Sequence, residues 1–134
     1  MTARTPLLAL CAFLAHLPHT AAAADDGFSE TPSNVSVHIG GEVILRCASV
    51  NNSANPPEII QWRINSGALL GTRDADLISG YEGRYSYVRD GQDELHLKIE
   101  RVSLKHDGRY ECQMVRKDGG QFRAAAFVNV IGRL

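Results

Sequence analysis

Long basic runs, long apolar runs and metal-ligand sets are missing from this 134-residue chain. No stretch of lysine or arginine exceeds two residues, and 14 basic residues stand against 15 acidic ones, a formal net charge of −1. That balance offers no electrostatic footprint for nucleic acid or for an anionic membrane surface. No apolar run reaches the roughly 20 residues that a bilayer span needs, so direct membrane insertion is not expected. Tryptophan occurs once and cysteine three times. No cysteine or histidine cluster completes a zinc set, and no group of carboxylates has the spacing of a calcium loop. Neither a metal nor a cofactor is expected.

What is present begins with a leader. Arg4, an apolar run from Leu7 to Leu17 and the small residues Ala21 to Ala24 describe a secretory signal peptide over residues 1–24. Its apolar centre is too short to span a bilayer. Arg4 and Cys11 leave with it, so the remainder keeps 13 basic residues against all 15 acidic ones, a net of −2. The remaining length suits one core and one domain. A short linker is expected over 25–30 and the domain over 31–134. In an oxidising compartment Cys47 and Cys112 can form one bridge, and closing so long a loop contributes about 4 kcal/mol in the chain-entropy picture. The product reads as secreted and extracellular.

Period-2 alternation is frequent and helical periodicity is scarce. In "EVILRCA" Val43, Leu45 and Cys47 share one side, and in "EIIQWRI" Ile60, Trp62 and Ile64 do. "ELHLKIE" puts Leu95, Leu97 and Ile99 inside and Glu94, His96, Lys98 and Glu100 outside. In "DGRYECQM" Tyr110, Cys112 and Met114 alternate with Arg109, Glu111 and Gln113. "AAAFVNV" is ambiguous, because both of its phases carry apolar residues. The turn-rich stretches "NNSANPP", "GTRDAD", "RDGQD" and "KDGG" separate these runs. Many short strands at this spacing predict an all-β sandwich or barrel.

Cys47 and Cys112 both face inward, so their bridge would join two sheets through the core. Trp62 follows the first cysteine by fifteen residues and also faces inward, and Tyr110 precedes the second by two. With Cys47, Trp62, "LHLKIERV" at 95–102 and "DGRYEC" at 107–112, the chain resembles the immunoglobulin superfamily over about residues 31–131. The 65-residue cysteine spacing leaves room for extra edge strands and favours the variable type. The resemblance implies a two-sheet Greek-key sandwich with one inter-sheet disulfide and a buried Trp62. It also implies a Tyr110 hydroxyl bonded to backbone, and an Arg84–Asp107 ion pair at the base, beside "GRYSY". Two departures separate the chain from antigen receptors. "QFRAAAFVNVIG" lacks their Phe/Trp-Gly-x-Gly bulge, and Arg63, Ile64 and Asn65 stand where they carry a pairing glutamine.

Catalytic residues are not expected. His38, His96 and His106 read as ordinary surface histidines, and no serine, cysteine or second acid completes a nucleophile set beside them. The acidic stretches at 74–77 and 90–94 read as solvated turns. Asn34 (N-V-S) and Asn51 (N-N-S) are glycosylation sequons, one on an edge strand and one in a tip loop. A glycan at Asn51 would shield the tip and favour recognition by a sheet face. The candidate face carries Ile59, Gln61 and Arg63 on one strand and Arg109, Glu111, Gln113 and Val115 on the next, a mixture suited to protein contact. The turn at 116–121 would supply flexible rim contacts.

The sequence thus points to a secreted single-domain protein that recognises an extracellular or cell-surface protein. Two other readings follow from the same residues. One is a homophilic dimer; the other is a truncated soluble form of a membrane receptor.

Overall fold

A computed structural model of the chain describes residues 27–65, 67–74, 84–89 and 91–132. The expected leader and its cleavage site lie outside the described residues, as do residues 75–83, part of the span between Trp62 and Arg84 where extra edge strands were expected. Among the described residues, ten strands run in chain order: β1 Phe28–Glu30, β2 Val35–His38, β3 Val43–Leu45, β4 Ala48–Ser49, β5 Pro57–Ile64, β6 Ala68–Thr72, β7 Tyr85–Val88, β8 His96–Ile99, β9 Gly108–Arg116 and β10 Gln121–Ile131. One sheet has the order β2-β10-β9-β5-β6, a second has β3-β8-β7, and β1 pairs with β4. The β2–β10 pair is parallel and the others are antiparallel.

β1 corrects the expected boundary, since residues 28–30 were assigned to a linker. Phe28 stands edge-on to Phe122 with ring centroids 6.3 Å apart, an apolar contact that holds the strand on the domain.

The two sheets close on a core of Val43, Leu45, Ile60, Leu70, Leu95, Leu97, Ile99, Val102, Met114 and Val128 around the Cys47–Cys112 disulfide. Burying each large aliphatic side chain contributes about 1.5–3 kcal/mol. Trp62 is fully buried, pairs with Cys112 across β5 and β9, and donates from Nε1 to the Leu95 carbonyl at 2.7 Å. That bond crosses from one sheet to the other and satisfies the indole N–H in the dry interior.

β10 resolves the ambiguous run. Ala126, Val128 and Val130 are buried and Phe127 is 56% exposed. The inward phase places Ala124 opposite Cys112 and Ala126 opposite Tyr110, small side chains against the disulfide and the buried tyrosine. The β9–β10 register runs unbroken from Gln121 to Val128, so this strand carries no bulge.

His96 departs from its expected place on the wet face, for it is 3% exposed. Its Nδ1 accepts the Cys47 N–H at 3.0 Å, and Leu95 N–H reaches the Cys47 carbonyl at 2.9 Å. The imidazole thus takes the place of a backbone acceptor where β3 gives way to β4, and the Cys47 N–H is satisfied there.

Candidate recognition face

The outer side of the five-stranded sheet holds all seven residues proposed for contact. Registers place them in rows: Ile59 beside Val115, Gln61 beside Gln113, and Arg63 beside Glu111. β10 extends the rows, with Gln121 beside Val115, Arg123 beside Gln113, Ala125 beside Glu111 and Phe127 beside Arg109.

Side-chain bonds lock the middle of this face. Gln113 Oε1 accepts from Gln61 Nε2 at 2.8 Å and from Arg63 Nε at 3.0 Å. Gln113 Nε2 donates to Glu111 Oε1 at 2.9 Å, and Arg109 Nη2 reaches Glu111 Oε2 at 3.3 Å. Arg63 Nη1 also donates to the Gly67 carbonyl, tying the network to the β5–β6 turn. Gln113 is therefore the hub, and its amide orientation is set by its neighbours. Such a network holds long side chains in one arrangement before any partner arrives.

An open shelf of about 430 Å³ lies over these residues, lined by Arg63, Asn65, Arg109, Glu111, Gln113 and Arg123. Three guanidiniums against one carboxylate give it a local excess of positive charge in a chain whose net charge is −1. Ile59, 43% exposed, and the half-buried Val115 make an apolar pair at one end. The other sheet differs. There Lys98 sits between Glu42 at 3.4 Å and Glu100 at 3.2 Å, and those carboxylates, Glu100 foremost, hold its pKa above the ordinary value.

The base of the domain rearranges one expectation. Arg84 Nη1 points to the Arg101 carbonyl at 3.4 Å, and Asp107 Oδ2 accepts the Val130 N–H at 2.8 Å. The two side chains expected to pair at the base thus each meet backbone instead, Arg84 at Arg101 and Asp107 at β10. Tyr110 is buried at this corner. Its hydroxyl donates to the His106 carbonyl at 2.8 Å and meets the Tyr85 hydroxyl at 2.9 Å.

His106 is 6% exposed rather than a surface group. Its Nδ1 accepts the Ser103 N–H at 2.9 Å in a capping box at the short 3-10 helix Leu104–His106, and its ring stands edge-on to Tyr85. Burial, reinforced by the nearby Arg84 guanidinium, holds its imidazole below the ordinary histidine pKa.

At the opposite end, two arginines that the sequence reading left in turns are buried. Arg116 is 1% exposed and donates to the carbonyls of Asn55 (2.6 Å), Gly27 (3.3 Å) and Val50 (3.3 Å) and to Ser49 Oγ. Arg73 donates to the carbonyls of Pro57, Glu58 and Gln92 and pairs with Asp74. Arg116 was legible in principle, since positions 110, 112, 114 and 116 share the inward phase of β9. The 116–121 turn is held rather than loose: Arg116 N–H bonds the Gly120 carbonyl and Lys117 N–H the Pro56 carbonyl. Gly119 supplies the positive φ (93°) that this turn requires.

Asn51 is exposed in the β4–β5 loop, and Asn34 is exposed just before β2. Among the described residues, no group of three or more histidines, cysteines and carboxylates is placed to hold a metal ion. Among them, too, no helix is long and apolar enough to cross a membrane.

A two-sheet sandwich with an inter-sheet disulfide, a tryptophan against it and a hydrogen-bonded tyrosine at the corner defines an immunoglobulin-type domain. Comparison with known proteins agrees: the immunoglobulin-domain family matches residues 27–115, and the chain belongs to that family. It is 37% identical to human nephrin over 95 residues, which is 70% of this chain and 7% of nephrin. The chain thus spans a small fraction of the curated relatives it matches. Among solved structures it resembles the Ig1 domain of mouse SynCAM 2, with a TM-score of 0.63 at 26% identity, covering 77% of this chain and 95% of that one. It also resembles the N-terminal Ig1-2 module of the Drosophila receptor protein tyrosine phosphatase DLAR, with a TM-score of 0.62 at 26% identity over 79% of this chain and 48% of that one.

Proposed function

We propose that this domain is secreted and works by protein recognition, using the outer face of the five-stranded sheet to bind an extracellular or cell-surface protein. The observation that carries the reading is the Gln61–Gln113–Glu111–Arg109 network with Arg63 bonded into it. It is a polar platform held rigid on central strands, with the apolar Ile59–Val115 pair at its end. Interfaces combine these elements, and preorganised side chains lose little freedom on binding. The leader-like sequence of residues 1–24 supports export.

The excess of guanidinium on the shelf further selects the partner's chemistry. A face offering carboxylates complements Arg63, Arg109 and Arg123, whereas a second copy of the same face brings like charges together. Recognition of a different, acidic protein surface is therefore favoured over face-to-face self-pairing.

The test is a binding panel of extracellular domains, with the protein itself included, probed with glycosylated protein from culture medium. Gln61→Glu, Gln113→Glu and Arg123→Glu serve as variants of the face. A partner lost on all three changes, with affinity that weakens as salt rises, supports the proposal. Binding that survives all three refutes the face. Self-binding lost in the same way would replace the heterophilic reading with the homophilic one.

A further inference from the structure

Asn34 does more than mark an edge. The parallel register pairs Val35 with Val128, which brings Asn34 beside Phe127. Asn34 Oδ1 accepts the Phe127 N–H at 2.8 Å. One step further along, Asn129 Nδ2 donates to Ser36 Oγ at 3.2 Å, so Asn34 and Ser36 lie with the outward residues of β10. Phe127, 56% exposed, belongs to that outward set, in the same row as Arg109. A large aromatic ring on the wet side of a sheet leaves much apolar surface uncovered.

An N-linked glycan attaches through Nδ2 and leaves Oδ1 as an amide carbonyl. The Phe127 N–H bond is therefore compatible with glycosylation and fixes the direction in which the first sugar leaves. N-acetylglucosamine presents a face of C–H groups on its pyranose ring, which packs well on an aromatic face. We infer that a glycan on Asn34 lays its first sugar over Phe127, so that the chain's own modification covers this ring at the β10 margin of the outer face. The positions from Ile59 to Arg109 on β5 and β9 then stay open to a partner, and Phe127 does not. The inference rests on passage of the chain through the secretory pathway, which glycan occupancy itself reports.

The experiment uses protein secreted from cultured animal cells, with Asn34 occupancy measured by peptide mass spectrometry. Thermal melts compare the fully glycosylated protein, a form trimmed enzymatically to the first sugar, and Ser36→Ala, which removes the sequon but keeps the Asn34–Phe127 bond. Each form is repeated with Phe127→Ala. In the Phe127 background, the glycosylated and trimmed forms should both melt about 3–8 °C above Ser36→Ala. In the Phe127→Ala background that difference should fall to about 1 °C or less. An unoccupied Asn34, or a glycan effect unchanged by Phe127→Ala, overturns the inference. Neither result bears on whether the platform around Gln113 binds a partner.

Discussion

Replacing Arg116 with methionine should cost this domain about 3 kcal/mol. The side chain lies on the inward phase of β9 and reaches three parts of the chain: Gly27 ahead of β1, Ser49 and Val50 at the end of β4, and Asn55 in the next loop. Hydrogen bonds from a charged donor each contribute about 1.5–3 kcal/mol. The contacts to Asn55 and Ser49 are short, while those at 3.3 Å to Gly27 and Val50 count for less. The full sum is not lost, because methionine retains the apolar stem and water can reach the partly buried carbonyls. A net loss near 3 kcal/mol corresponds to a Tm fall of about 12–20 °C for a domain of this size. Circular dichroism melts and urea titrations measure it. Arg116→Lys should recover only part of the loss, since an ammonium cannot span acceptors that a planar fork reaches. Arg123→Met, on the wet side of the neighbouring strand, is the control and should move stability by about 0.5 kcal/mol or less. A Tm for Arg116→Met within about 3 °C of the parent would refute the claim that this arginine holds the tip together.

Three further outcomes follow from the base of the sandwich. Tyr110→Phe removes a buried hydroxyl bonded to the His106 carbonyl and the Tyr85 hydroxyl, and should cost about 1–3 kcal/mol in urea denaturation; no change would mean that the corner is held by packing alone. Gly108→Ala should cost about 1–3 kcal/mol, since φ is 153° there and an added Cβ would collide with Asn65 Oδ1; a neutral result by the same assay would contradict the close approach. His106 gives a pH dependence. Its folded pKa lies below its unfolded value near 6.5, so the unfolded chain takes up the proton first. Stability from this group is complete above pH 6.5 and falls as pH drops through 6.5 toward the folded pKa. In His106→Asn, whose side-chain oxygen can still accept the Ser103 N–H, the loss between pH 7.5 and pH 5.0 should be smaller than in the parent. Equal losses in the two proteins would exclude His106 as a source.

Much of the fold was legible because half-buried strands alternate. The phases of β3, β5 and β9 follow directly from Val43 and Leu45, from Ile60 and Trp62, and from Tyr110, Cys112 and Met114. Alternation failed where polarity and burial part company. His96 reads as a wet residue, yet its ring is buried as the acceptor for a backbone N–H at the β3–β4 break. No pattern within one strand announces that need, for it arises from the neighbouring strand's backbone. Arg116 misled for the opposite reason. Its inward phase was visible, but an arginine next to "KDGG" suggests a turn, and the acceptors that make its burial tolerable come from segments 61 to 89 residues away. Asp107 was matched to Arg84 by resemblance, whereas the nearer partner is a backbone N–H of β10.

The positions of the candidate face were legible, but its organisation was not. Alternation can say that Gln61, Arg63, Glu111 and Gln113 are wet, and it cannot say that Gln113 joins the other three. Those bonds depend on the β5–β9 register, which pairs Gln61 with Gln113 and Arg63 with Glu111. The placement of the arginines makes the sheet face a better candidate than the tip. At the tip, Arg73 and Arg116 direct their guanidiniums inward onto carbonyls of Pro57, Glu58, Gln92, Asn55, Gly27 and Val50. Their charge is thereby withdrawn from any partner. On the face, Arg63 and Arg109 are bonded at one edge and still line an open shelf beside Arg123. A partner's carboxylate arriving there meets donors already positioned, so its binding should depend more on the Gln113 hub than on any single arginine. Gln113→Ala should therefore weaken binding more than Arg123→Ala does. Surface plasmon resonance with the first partner found decides it, and the reverse order would mean that charge, not the platform, selects the partner.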